Sequence, residues 1–340
     1  MELSTSYLGL RLRNPLVASA GPLSQTVDGV RSLAGAGVGA VVMYSLFEEQ
    51  VRRQRVLDAE LEERYEESSP EALSYFPTPD STPEPGVADR YVTLVERAAS
   101  AVDVPVIASI NGSSLGGWVT IARQLADAGA AAIELNIYFV PGDLSITGAE
   151  VEQRHLDIVG AVRAAVPLPI AVKLSPYFSS PGNMALRLIE AGADGLVLFN
   201  RFLQPEVDIE TLTVKPSVAL STRFEGRLPR TWIAALARHT RASLAATSGV
   251  EEAADVIRYL LAGADVVMTT SALVRHGAEY AGTLLDGLQE WMRRRGYSSV
   301  DDFRGLLAVP ADAAGASSYL RAGYVAALEN ARRIYGSLRY

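Results

Sequence analysis

Three asparagines and one lysine stand out in this 340-residue chain because each sits in or just after a short apolar run. Asn111 follows PVIASI, Asn136 follows AAIEL, Asn200 follows DGLVLF, and Lys173 lies within PIAVKL. An amide side chain offers a donor and an acceptor on one group, which suits an amide-rich planar ring. A single buried ammonium beside such a ring stabilises developing negative charge. The set contains no nucleophile–base pair and no carboxylate or imidazole, so no metal site is expected. Nearer the end, ATSGV and TTSAL each close an apolar run with small polar residues and lead into a helical pattern. Turns of this kind present backbone N–H groups at helix N-termini, a seat for phosphate. Gly249 permits close backbone approach, and Thr247, Ser248, Thr270 and Ser271 add hydroxyls.

Eight strand-like runs, each followed by a helical pattern, must position these residues: 15–20, 39–43, 105–110, 131–135, 169–174, 194–199, 243–247 and 264–269. AGVGA, AGAAA, AGADG and AGADV recur before the second, fourth, sixth and eighth, each reading as a helix-ending glycine that leads into a buried strand. Eight such units with right-handed crossovers close into an α/β (β/α)8 TIM barrel. The rival, a doubly wound open sheet, lacks the expected glycine-rich fingerprint after its first strand. Residues 3–13 alternate around Gly9 as a hairpin that would plug the barrel bottom. The charged, proline-rich stretch 46–90 is a long insertion after strand two, expected to act as a lid or subunit contact. The helix after the seventh strand is expected over Val250–Ala262. One domain is expected, with a barrel over about 14–280 and extra C-terminal helices, packed outside it, over about 281–340.

Composition narrows the function. Apolar residues make up 49% of the chain, ample for a large core. A net charge of −8 without Lys/Arg blocks argues against nucleic acid. The absence of cysteine excludes disulfides and cysteine-ligated iron–sulfur clusters. Neither a signal peptide nor a membrane-spanning apolar run is visible, so a cytoplasmic protein is expected. His155, His239 and His276 lie away from the strand ends and read as surface or cap residues. In a barrel, chemistry gathers at the C-terminal strand ends. Those ends bring together Ser19–Gly21, Tyr44–Ser45, Asn111, Asn136, Lys173, Asn200, Ser248–Gly249 and Thr270–Ser271. That collection describes a flavin mononucleotide (FMN) site, with phosphate on the last two turns and Lys173 at the pyrimidine edge of the ring.

At these residues the chain resembles the FMN-dependent dihydroorotate dehydrogenases, closest to their soluble class, and the pyrimidine-reducing domain of dihydropyrimidine dehydrogenase. LGLRLRNPLVASAGP resembles the family's start and would lay Ala18, Ser19, Ala20 and Gly21 under the flavin. VKLSPYF carries the flavin-contacting lysine, Lys173; ELN and LFN carry Asn136 and Asn200 on the substrate side. ATSGV and TTSAL resemble the phosphate loops, placing Ser248, Gly249, Thr270 and Ser271 on the phosphate, while Tyr44, Ser45 and Asn111 complete the cofactor contacts. Two departures stand out. Phe139 occupies the place of the family's catalytic cysteine or serine, and Tyr44 that of a lysine that would bind the substrate carboxylate. The resemblance implies an oxidoreductase acting on the CH–CH bond of a small planar pyrimidine-like substrate. Tyr138 is the first candidate base, with Tyr44, Ser145 and Asp143 as others. Tyr44 joins Asn136 and Asn200 as a substrate contact. Electrons would leave through a diffusible acceptor or a partner protein, and a homodimer is expected. The alternatives are a flavin-binding subunit without dihydroorotate turnover, or a phospho-ligand barrel enzyme without flavin.

Overall fold

The computed structural model describes residues 1–54, 56, 86–112, 118–201, 205–215, 219–311 and 313–336. Eight parallel strands close into a barrel: β3 (Leu16–Ala18), β4 (Ala40–Phe47), β5 (Val106–Asn111), β6 (Ala132–Asn136), β7 (Ile170–Leu174), β8 (Gly195–Leu198), β11 (Ser243–Ala246) and β12 (Val266–Thr269). β12 pairs with β3 and completes the ring. Apart from Ser243 and the end of β4, these strands are buried on both faces, which is why each reads as a nearly unbroken apolar run. Gly37, Gly129, Gly192 and Gly263, the glycines of the four recurring motifs, have φ of 104°, 85°, 113° and 111°. In that left-handed region glycine carries no Cβ penalty, so each helix stops and the chain turns into its strand.

The core has two shells. Val17, Val42, Ile107, Val197 and Met268 fill the barrel interior, and a larger shell packs between the strands and the surrounding helices. The amino-terminal hairpin, β1 (Thr5–Tyr7) with β2 (Leu10–Leu12), adds Tyr7, Leu8 and Leu12 to the inner shell. It docks at the N-terminal strand ends, where Leu8 N donates to Ser243 Oγ (2.9 Å) and Thr5 Oγ1 to the Asp265 carbonyl (3.0 Å). The bottom of the barrel is therefore plugged, as the alternation predicts.

Several boundaries differ from the sequence reading. β4 runs on to Phe47, and its register with β5 shifts between Val42 and Ser45. The irregular stretch after β8 contains an unforeseen antiparallel pair, β9 (Glu206–Asp208) and β10 (Thr213–Lys215), whose mostly exposed three-residue strands carry no burial alternation. Most of the 46–90 insertion, and with it the lid or subunit role expected there, lies outside the described residues. The expectation that the tail packs outside the barrel holds as far as Phe303 and Val309, both buried. Beyond them a helix spans Ala313–Tyr335, and its residues 321–330 are exposed rather than packed on the barrel.

Candidate active site

Strand register sets the mouth of the barrel. Asn111 pairs with Asn136, and Asn136 with Lys173, so the three form one row across β5, β6 and β7. All three are buried, with Lys173 at 8% exposure. Asn200, two residues past β8, donates its side-chain amide to Asn136 Oδ1 at 2.7 Å. The row is thus extended across β7 by a direct amide–amide bond.

One layer below lies a buried polar set inside the barrel. Ser109 pairs in register with Glu134, two residues before Asn136 and on the same strand face. Lys173 Nζ reaches Glu134 Oε1 at 3.6 Å, Ser109 Oγ lies 3.5 Å from the same oxygen, and Ser45 Oγ is 2.8 Å from Ser109 Oγ. Glu134 is 1% exposed, and its Oε2 has no hydrogen-bond partner. Below it, the Tyr7 hydroxyl is also buried without a partner. Burial, and then the negative charge of Glu134, hold that phenol well above its ordinary range. Outside the strands, Tyr91 from the helix Val87–Ala101 accepts from Ser109 N (3.0 Å) and donates to Ser109 O (2.9 Å).

The two late turns meet beside β3. Gly21 comes so near Thr270 that a Cβ there would lie 2.5 Å from Thr270 Cγ2, and Thr270 Oγ1 donates to Ser19 O at 2.7 Å. Ser248 and Gly249 take φ of 74° and 68°. Their turn is braced by Tyr259, whose hydroxyl is 2.7 Å from Ser248 O, and by Ser221, whose Oγ lies 3.3 Å from Gly249 N. Ser221 N and Ser221 Oγ each lie 3.0 Å from Ser271 Oγ, so this one serine links both turns. The helix after the first turn starts at Ala253, not Val250. The two amides just before it are taken: Glu251 N and Glu252 N both donate to Asp255 Oδ2, at 3.2 and 3.1 Å.

A pocket of about 250 Å³ covers part of the site, and neither Asn111 nor Asn136 lines it. Ser19, Ala20 and Gly21, Lys173 and Asn200, and Ser248, Thr270 and Ser271 all line it. Other expected residues stand elsewhere. Ala18 faces the outer shell, and Gly249 lies behind its turn against Gly226. Tyr44 turns onto Tyr91, ring centroids 5.1 Å apart and edge to face, because the irregularity in β4 turns Ser45 toward Ser109. Tyr138 is half-buried beyond Asn136, and the ring of Phe139 lies under the Arg154 guanidinium at 4.2 Å. Asp143 and Ser145 are exposed and bonded to each other at 2.7 Å. Sequence reasoning missed Ser109, Glu134 and Ser221. The signal for Glu134 was present, a lone carboxylate in an apolar strand run, but its inward direction depends on register. Among the described residues no group of three or more His, Cys, Asp or Glu could hold a metal, and no helix is long and apolar enough to cross a membrane.

Comparison with known proteins bears on this arrangement. The model of the family described as dihydroorotate dehydrogenase matches residues 82–292, more than half of the chain. A chain from Aeropyrum pernix assigned to dihydroorotate dehydrogenase A (fumarate) is 28% identical, across 89% of this chain and 97% of its own length. The catalytic subunit of dihydroorotate dehydrogenase B (NAD(+)) from Methanothermobacter thermautotrophicus is 28% identical, covering 89% and 98%. Its counterpart from Pyrococcus abyssi is 26% identical over the same shares.

Proposed function

This chain belongs to the dihydroorotate dehydrogenase family, and on that premise we propose that it is an FMN-dependent oxidoreductase acting on a CH–CH bond of a small planar, pyrimidine-like substrate. One observation carries the reading: Lys173 and Asn200 share a single pocket with Ser248, Thr270 and Ser271. The donor set fits FMN. Hydroxyls and a glycine-containing turn suit the phosphate, the small wall Ser19–Gly21 leaves room for a flat ring, and Lys173 suits its electron-accepting edge. When bound, FMN supplies the hydride-accepting chemistry.

The chain's own residues supply placement and charge. Ser248, Thr270 and Ser271 anchor the phosphate, and Ser221 holds the two turns together. Lys173 sets positive charge where negative charge grows. The Asn136–Asn200 pair orients the substrate's amide edge, with Asn111 beside it. Tyr138, two residues past Asn136, is the candidate base for the proton. Electrons leave through a diffusible acceptor or an acceptor protein. The relatives named as catalytic subunits support a partner subunit. A homodimer in the cytoplasm completes the proposal.

Phe139 under Arg154 and Tyr44 against Tyr91 favour a second reading, a flavin-binding subunit that does not turn over dihydroorotate. A visible spectrum of purified protein, then anaerobic addition of dihydroorotate or dihydrouracil, tests both. Colourless protein that takes up no FMN sinks the flavin reading. Bound flavin that no dihydropyrimidine bleaches favours the subunit.

A further inference from the structure

Glu134 is a carboxylate inside the barrel, 1% exposed, beside Lys173 and Ser109. Its ion pair with Lys173 is 3.6 Å long and monodentate, and its second oxygen meets no donor. Buried pairs of this quality are frequently no better for stability than apolar residues of similar volume. Stability alone therefore does not account for it. Lys173 is a four-carbon stem at the inner end of the pocket, and Glu134 Oε1 is the carboxylate oxygen that fixes its ammonium there.

Resting on the FMN reading above, we propose that Glu134 is a positioning residue acting through Lys173: it holds the ammonium in place, offsets its charge, and so lowers the midpoint potential of the bound flavin. The sign follows from electrostatics. Reduction adds negative charge to the ring, which a lone ammonium favours more than an ammonium already paired with a carboxylate. Neutralising Glu134 leaves Lys173 uncompensated and makes reduction easier. The effect needs the lysine. Glu134 itself does not line the pocket, so its influence on the ring passes through the ammonium it contacts.

Midpoint potentials of FMN-loaded wild type, Glu134→Gln, Lys173→Met and the double variant, read against reference dyes, test this. Glu134→Gln should shift the reduced-to-oxidised ratio at fixed dye potential about tenfold toward reduced, a rise of about 30 mV for a two-electron couple. In the Lys173→Met background the same substitution should move the ratio less than about threefold, equivalent to about 15 mV. If Glu134→Gln does not fold, Glu134→Asp, which draws the carboxylate back by one methylene, should shift the ratio in the same direction by a smaller amount. FMN-bound Glu134→Gln with an unchanged or lowered potential overturns the inference alone, as does a shift that persists undiminished without Lys173. Wild type that takes up no FMN overturns the proposed function and this inference with it.

Discussion

Asn200 Nδ2 and Asn136 Oδ1 lie 2.7 Å apart, so the amide groups from the ends of β8 and β6 are tied together over β7, the strand that carries Lys173. The bond uses one donor of Asn200 and one acceptor site of Asn136, leaving the Asn136 NH2 and the Asn200 carbonyl oxygen outside it. Asn200→Ala removes this brace. Its expected cost is about 1 kcal/mol in urea unfolding, the usual net worth of a neutral hydrogen bond. An unchanged unfolding midpoint would show that the pair contributes no stability.

Gly249→Ala should weaken FMN binding at least about tenfold, about 1.4 kcal/mol. Gly249 has a φ of 68°, and a Cβ there would lie 2.5 Å from Gly226 N and 2.9 Å from Thr222 O. Both neighbours are backbone, so the turn itself must shift. Titration of apoprotein with FMN, followed by flavin fluorescence, measures it. Retained affinity would argue that the Ser248–Gly249 turn does not hold the phosphate.

Lys173→Met should destabilise the apoprotein by about 3–5 kcal/mol, because it strands Glu134 as an unpaired buried carboxylate. Adding Glu134→Gln should recover most of that loss. A double variant no more stable than Lys173→Met would show that the two groups are not coupled.

Phe139→Cys places a thiol at the position that the resemblance matches to the family's base. General base catalysis contributes about 10²–10⁴-fold. Anaerobic stopped-flow reduction of the bound flavin by dihydroorotate should therefore accelerate at least tenfold, even if Tyr44 still leaves the substrate carboxylate poorly held. No acceleration would locate the missing function elsewhere.

His155, buried on the helix Gly148–Ala165, gives a pH prediction. Burial pushes its pKa below the ordinary 6.5, and its Nδ1 lies 2.7 Å from Val151 O. The unfolded chain therefore binds this proton first as pH falls. The stabilising contribution of neutral His155 is complete above about 6.5 and is lost as pH drops from there through the lower native value. Urea midpoints measured between neutral and mildly acidic pH should fall for wild type and fall less steeply for His155→Phe. Parallel slopes would rule His155 out as the source.

The legible part of this protein is local. Each recurring AG motif needs a left-handed glycine, and each following apolar run is too short for a helix and buried on both faces. The order of eight βα units is therefore written in the chain, and with it the strand ends bearing Asn111, Asn136, Lys173 and Asn200. The hairpin plug was also visible, from the alternation around Gly9. What stayed hidden depends on contacts between residues far apart in sequence. Whether Glu134 faces in or out is a matter of register, since a run buried on both faces shows no alternation. Tyr44 leaves the pocket because β4 changes register against β5, an event set by the neighbouring strand. Ser221 reaches Gly249 and Ser271 from an irregular stretch with no periodic pattern. The amides before Ala253 are occupied because Asp255 folds back onto them. The sequence alone determined which residues stand at the mouth of the barrel; only the tertiary structure decided which of them touch, because side-chain direction and pairing are settled by the register between strands and not within any one of them.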